Sequence, residues 1–105
     1  MVESSGDRAW VIEADEPKVR EVISPGDERV LGRDHAHGAD LVLHSVTVAR
    51  RHGILRNRGG ALEVEDLQSH CGIFVNLERI GGRVVTLAEG DEVRIGQIVL
   101  RVSRA

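Results

Sequence analysis

Five consecutive residues, Val48-Ala49-Arg50-Arg51-His52, carry the densest chemistry in the chain. They stand between two apolar segments and open the most basic run in it. From Arg50 to Gly60 there are four arginines (Arg50, Arg51, Arg56, Arg58) and no acid, in a chain whose formal net charge is -3. A guanidinium presents a planar fork of donors that matches phosphate or carboxylate, so a local positive field on an acidic domain points to an anion site. The competing reading is a solvated arginine-rich loop. The histidines (His35, His37, His44, His52, His70) and Cys71 raise a second possibility, a zinc centre built on His-x-His and a distant Cys-His. Their spacing matches no standard zinc signature, and no metal is expected. Cys71 as a nucleophile would need an acidified thiol and a base held against it. On an extended segment the neighbouring His70 points away. The chain has no glycine-rich phosphate loop with a lysine and no paired-carboxylate motif, and Gly81-Gly82 lacks the remaining residues of either nucleotide fingerprint. We therefore expect no enzyme, no cofactor and no small-molecule substrate.

Composition narrows the classes further. A length of 105 residues predicts one domain with a modest core. Trp10 and Phe74 are the only aromatics, so Val, Leu, Ile and Ala must build that core. No apolar run approaches the ~18 residues of a membrane span, so no membrane insertion is expected. The acidic balance argues against nucleic acid, which needs a broad basic face to displace counterions and exposed aromatics to stack single strands. Residues 1–7 are acidic and polar, unlike a signal peptide, and read as a disordered leader before a single domain over 8–105. One cysteine excludes an internal disulfide and agrees with a reducing, cytoplasmic setting.

The elements that must position the basic stretch read as strands. Short apolar runs fall at Ala9–Ile12, Val19–Ile23, Arg29–Arg33 and Leu41–Leu43, with Ser24-Pro25-Gly26-Asp27 a strong turn between the second and third. Asp34–Asp40 and Ser45–His52 read as loops. Gly53–Arg56 and Ala61–Glu65 flank Asn57-Arg58-Gly59-Gly60 as a hairpin. After the loop Asp66–Gly72 come Ile73–Val75 and Val84-Val85. The clearest pattern is at the end: Val93 and Ile95, then Ile98, Leu100 and Val102, alternate with polar or outward residues across Gly96-Gln97, a half-buried hairpin whose last strand stops three residues before Ala105. No window sustains a 3.6-residue period. Many short strands with closely spaced turns predict an all-β sandwich or barrel.

Four islands in this order and spacing resemble the forkhead-associated (FHA) domain family: Leu31-Gly32-Arg33, Asp40–Leu43, Val48–His52 and Leu67–Asn76, supported by Leu87–Gly96. The resemblance covers nearly the whole chain. It implies a two-sheet antiparallel β-sandwich of about eleven strands, without catalysis, whose loops at one end bind phosphothreonine peptides. Function must still be argued at the site. By resemblance, Arg33 contacts the phosphate, Arg50 lines its pocket with Arg51 beside it, and the segment Ser69, His70, Cys71 and Gly72 faces the peptide. Gly32, His52 and Asn76 are structural, His52 bonding the loops into shape and Asn76 forming a turn.

Departures from the family are concentrated in that pocket. The family's phosphate-binding serine is Ala49, and its peptide-holding asparagine is Cys71. A methyl donates nothing, and a thiol lacks the amide's donor–acceptor pair. His70 stands where a small hydroxyl residue is usual, Ile73 where threonine is usual and Ser45 where an acid is usual. A hydrogen bond to a charged group is worth roughly 1.5–3 kcal/mol. Losing two therefore removes about 3–6 kcal/mol, or two to four decades of affinity. Two functions remain open. The first is a signalling module binding a phosphorylated partner through Arg33, Arg50 and the Ser69–Gly72 loop. The second is a degenerate scaffold making phosphate-independent contacts, a mode the resemblance allows through FHA-like domains of bacterial secretion assemblies.

Overall fold

The computed structural model describes residues 8–105; the expected leader, residues 1–7, lies outside them. Eleven strands form two sheets. In chain order they are β1 (Trp10–Ala14), β2 (Val19–Ile23), β3 (Glu28–Gly32), β4 (Leu41–Val42), β5 (Gly53–Arg58), β6 (Ala61–Asp66), β7 (Ile73–Val75), β8 (Glu78–Arg79), β9 (Val84–Thr86), β10 (Glu92–Ile95) and β11 (Ile98–Arg104). One sheet runs β2-β1-β11-β10-β7-β8, the other β4-β3-β5-β6-β9. Alternation places Val93, Ile95, Ile98, Leu100 and Val102 between the sheets, with Leu31, Leu55, Leu62 and Val64 facing them from the other side. Each such side chain, taken fully from water, contributes about 1.5–3 kcal/mol. Trp10 is the one aromatic in this core.

Four sequence expectations need correction. The sandwich is not wholly antiparallel, because β3 and β4 pair in parallel, Leu31 opposite Leu41 and Gly32 opposite Val42. The β5–β6 turn is shorter than expected. Asn57 and Arg58 pair with Leu62 and Ala61, leaving Gly59 and Gly60, both at positive φ, as a two-residue turn. The last strand continues to Arg104, since Trp10 and Val11 of β1 supply its ladder partners. Strand β8 has no apolar pattern at all, both its residues being exposed, and forms because the turn after β7 folds it back onto Phe74 and Val75.

The two ends of the sandwich differ. At one, the buried amide of Asn57 donates to the carbonyls of Arg8 and Ile23 and accepts from Gly60 N–H. There the Trp10 indole also donates to Gly60 O at 2.9 Å. These bonds close the sandwich opposite the basic loops. At the other end β3, β5 and β6 open into the loops 33–40, 43–52 and 67–72, and the residues of interest lie in these.

Candidate functional site at the loop end

Backbone contacts draw the loops together before any side chain acts. Arg33 N–H donates to Ala49 O (3.0 Å), Leu43 N–H to Gly32 O (2.8 Å), and His52 N–H to Leu31 O (2.7 Å). The loop 43–52 therefore crosses directly over the end of β3. Gly32 is required by this crossing, because a Cβ there would lie 1.9 Å from Arg50 O. A side chain would push the Arg50 segment off its seat.

His52 joins the second and third loops. It is fully buried. Its Nδ1 accepts from Ala49 N–H at 3.0 Å, and its Nε2 lies 2.7 Å from Gly72 O. An acceptor Nδ1 and a carbonyl opposite Nε2 assign the neutral ring with its hydrogen on Nε2. The imidazole thus clamps Ala49 to Gly72 across the site. Leu67 N–H adds a bond to His52 O.

The loop 67–72 carries its own brace. Asp66 Oδ1 accepts both Ser69 N–H (2.9 Å) and the Ser69 hydroxyl (2.7 Å), and Ser69 Oγ in turn accepts Gly72 N–H (3.0 Å). The Ser69 hydroxyl is committed inside the loop. Gly72 sits at φ +80°, a conformation glycine adopts without penalty. His70 and Cys71 are exposed at the tip, Cys71 as a free thiol. Ile73 points away from the site, fully buried, its Cδ1 lying 2.5 Å from where a Cβ on Gly53 would stand. Asn76 lies at φ +49° in the β7–β8 turn, bonded through its amide to Asp91 Oδ1 and to Glu92 N–H.

Charge pairing distinguishes this end from much of the remaining surface, although Arg79, Arg94 and Arg104 also have no acid within ion-pair distance among the described residues. Away from it, Arg29 pairs with Glu21, Arg56 with Glu28 and Glu65, Arg58 with Glu63, and Arg101 with Asp15. Among the described residues, Arg33, Arg50 and Arg51 have no acid within ion-pair distance and no side-chain hydrogen bond. Arg33 is half-buried; Arg50 and Arg51 are exposed. Of the four arginines in the basic run, the structure therefore separates Arg50 and Arg51, at the loops, from Arg56 and Arg58, which are paired on β5. The one acid beside Arg33, Asp34, is turned inward to its own loop, where its carboxylate takes the His37 ring at 2.8 Å and His37 N–H. That side-chain hydrogen bond holds the Asp34 carboxyl below its ordinary value against desolvation, with the His37 N–H and the charges of His37 and Arg33 adding to it.

The histidines are dispersed. His35 bonds Ala39 O, His37 bonds Asp34, and His52 is the buried clamp. Among the described residues no group of three His, Cys, Asp or Glu side chains gathers as metal ligands do.

Three contributors were not anticipated from sequence. Asp66 organises the third loop, and its spacing to Ser69, three residues on, is the signature of a side-chain-capped turn. Thr47 receives Gln97 N–H on its hydroxyl and meets Gly96 so closely that a Cβ there would lie 2.5 Å from Thr47 O, which ties the second loop to the β10–β11 hairpin. Arg79 lies against Gly72, with its Nε 2.8 Å from where a Cβ on Gly72 would stand. No sequence signal marks Arg79, since strand β8 that carries it has no pattern.

The structure is thus a two-sheet β-sandwich that presents braced loops at one end, with arginines lacking acid partners on them. The FHA domain family model matches residues 29–96, and the chain belongs to that family. Over 62 residues it is 45% identical to the glycogen accumulation regulator GarA of Mycolicibacterium smegmatis, covering 59% of this chain and 38% of that protein. The chain thus spans well under half the length of that relative. The FHA domain of the CT664 protein from Chlamydia trachomatis superposes with a TM-score of 0.85 at 21% identity, covering 92% of this chain and 98% of that one. EmbR of Mycobacterium tuberculosis, solved in complex with a low affinity phosphopeptide, superposes with a TM-score of 0.80 at 27% identity over 92% of this chain and 24% of EmbR.

Proposed function

We propose that this chain binds phosphothreonine-containing segments of a partner protein at its loop end, with residues 8–105 acting as one unit. Arg33 and Arg50 meet the phosphate, Arg51 adds to the field, and the exposed tip His70-Cys71 with Gly72 faces the peptide backbone. Gly32, His52 and Asn76 hold the frame, and the Ser69 hydroxyl acts as a brace rather than a direct phosphate donor. The observation that carries this reading is the cluster of arginines without acid partners, Arg33, Arg50 and Arg51, on loops clamped by His52. Membership of the family whose relative EmbR has been captured with a phosphopeptide supports it. Among the described residues no helix is long and apolar enough to cross a membrane; together with the exposed free thiol, this supports a cytoplasmic setting.

Ala49 and Cys71 favour a second reading, a scaffold whose contacts do not depend on phosphate. One titration separates the two. The 15N-labelled chain is titrated with a phosphothreonine peptide and with its unphosphorylated twin. Saturable amide shifts at Arg33, Arg50 and Gly72 with the first alone, lost in Arg33→Ala, are expected. Silence at millimolar phosphopeptide would leave the scaffold reading standing.

A further inference from the structure

The turn after β7 holds a leucine where the backbone asks for a glycine. Leu77 has φ +74°, and its side chain is 87% exposed. A left-handed conformation costs a residue with a Cβ free energy that glycine would not lose, and exposing leucine returns nothing to the fold. A strained, solvent-facing apolar residue is a reason to look for function.

Leu77 overhangs a cleft of about 160 Å³ lined by Phe74, Glu92, Arg94 and Val99. A cavity of ~150 Å³ suffices for a benzene ring, so this one has room for a single aliphatic side chain. Register explains its shape. Val99 opposes Arg94, Arg94 opposes Phe74, and Phe74 opposes Arg79, one row across β11, β10, β7 and β8 on the outer face of the sheet. Arg94 and Arg79 approach the Phe74 ring at 5.4 and 5.9 Å. Neither has a carboxylate within ion-pair distance among the described residues. Arg79 also rests against Gly72, so this row runs without a break into the loop 67–72.

We propose that this cleft reads a second feature of the phosphorylated partner: an aliphatic side chain seated between Leu77, Phe74 and Val99, next to a carboxylate on Arg79 and Arg94. The inference rests on the phosphothreonine reading above. Two guanidiniums without ion-pair partners beside the apolar Phe74, Leu77 and Val99 select an acidic–aliphatic pair whose carboxylate sits in the Arg94–Phe74–Arg79 row, apart from Glu92, the one acid on the cleft's lining. Room for one side chain is too little for a dimer interface, which favours a peptide over a second copy of this chain. The contact also adds binding where Ala49 and Cys71 remove it.

The test uses phosphothreonine peptides with alanine and serine flanks, and a series in which Glu-Leu is placed at successive positions on either side. At one position Glu-Leu tightens binding about tenfold, with amide shifts at Phe74, Leu77 and Val99. Leu77→Gly removes that gain, leaves the affinity of the bare phosphothreonine peptide unchanged, and does not lower the unfolding midpoint, because glycine relieves the turn. If the bare peptide binds and no position of Glu-Leu tightens it, the inference fails and the phosphothreonine reading survives. Failure of every phosphopeptide overturns both. Sedimentation showing a dimer that Leu77→Gly dissociates would assign the face to self-association and overturn the inference.

Discussion

At the residue scale the proposed site is a set of arginines flanked by Ala49 and Cys71, which stand where the resemblance expects serine and asparagine donors. Restoring those donors is the most direct probe of the pocket. Ala49→Ser returns a hydroxyl beside Arg50, and Cys71→Asn returns an amide at the loop tip. Each is expected to tighten phosphothreonine-peptide binding about tenfold or more, the equivalent of one charge-assisted hydrogen bond, read by calorimetry. Neither enlarges a packed core, since Ala49 is half-buried and Cys71 exposed. Asp34 offers a check on the electrostatics. His37 holds its folded-state pKa below the ordinary carboxylate value. A carboxyl depressed in this way stabilises the loop above its unfolded pKa, and the contribution is lost as pH falls through the lower folded one. Carbon-detected titration of Asp34 is expected to give a midpoint below 3.8, the ordinary value, rising in His37→Ala.

At the scale of elements, three loops are tied together because two residues, His52 and Gly32, make their crossing possible. His52→Ala would orphan Ala49 N–H and Gly72 O and leave a cavity. With about 1–3 kcal/mol for each buried unsatisfied group, a loss of roughly 2–6 kcal/mol is expected in urea unfolding. Gly32→Ala acts by collision, since backbone at 1.9 Å must move. Overpacking of this kind costs about 1–3 kcal/mol. Its shifts should centre on Arg33 and Arg50, weakening phosphopeptide binding even where the chain stays folded. The β6–β7 loop depends on a smaller device, the Asp66–Ser69–Gly72 relay, which fixes where His70 and Cys71 emerge.

Across the whole molecule, net charge is a poor guide to what the surface attracts. The chain is acidic overall, but Arg33, Arg50 and Arg51 at the loop end have no acid partner among the described residues, while Arg29, Arg56 and Arg58 on the strands are paired. Phosphopeptide association should therefore weaken as salt rises from 50 to 500 mM, about the range over which the Debye length falls from beyond 10 Å toward 4 Å. A peptide bound at that end should leave Trp10 undisturbed. Its indole bonds Gly60 at the opposite end and lies under Arg104, 4.6 Å from the ring centre. Trp10 fluorescence is expected to report global unfolding and to stay silent on binding.

What the sequence determined by itself was whatever depends on local pattern. Period-2 alternation marked β10 and β11, a turn motif marked the end of β2, and the order of the islands marked the family. It also placed Ala49 and Cys71 where the resemblance expects serine and asparagine, the departures on which the proposed pocket turns. Partnership was settled only by tertiary structure. Arg33 and Arg56 look alike in sequence, yet one has no acid partner while the other is held by Glu28 and Glu65. The parallel β3–β4 pair and Arg79 laid on Gly72 each join residues that local pattern does not link. Strand β8 exists because a turn returns it to β7, and no propensity of Glu78 or Arg79 announces it. Pairing across space depends on which surfaces the packed sheets bring within a few ångströms, and a one-dimensional pattern carries that only where alternation or a turn motif dictates it.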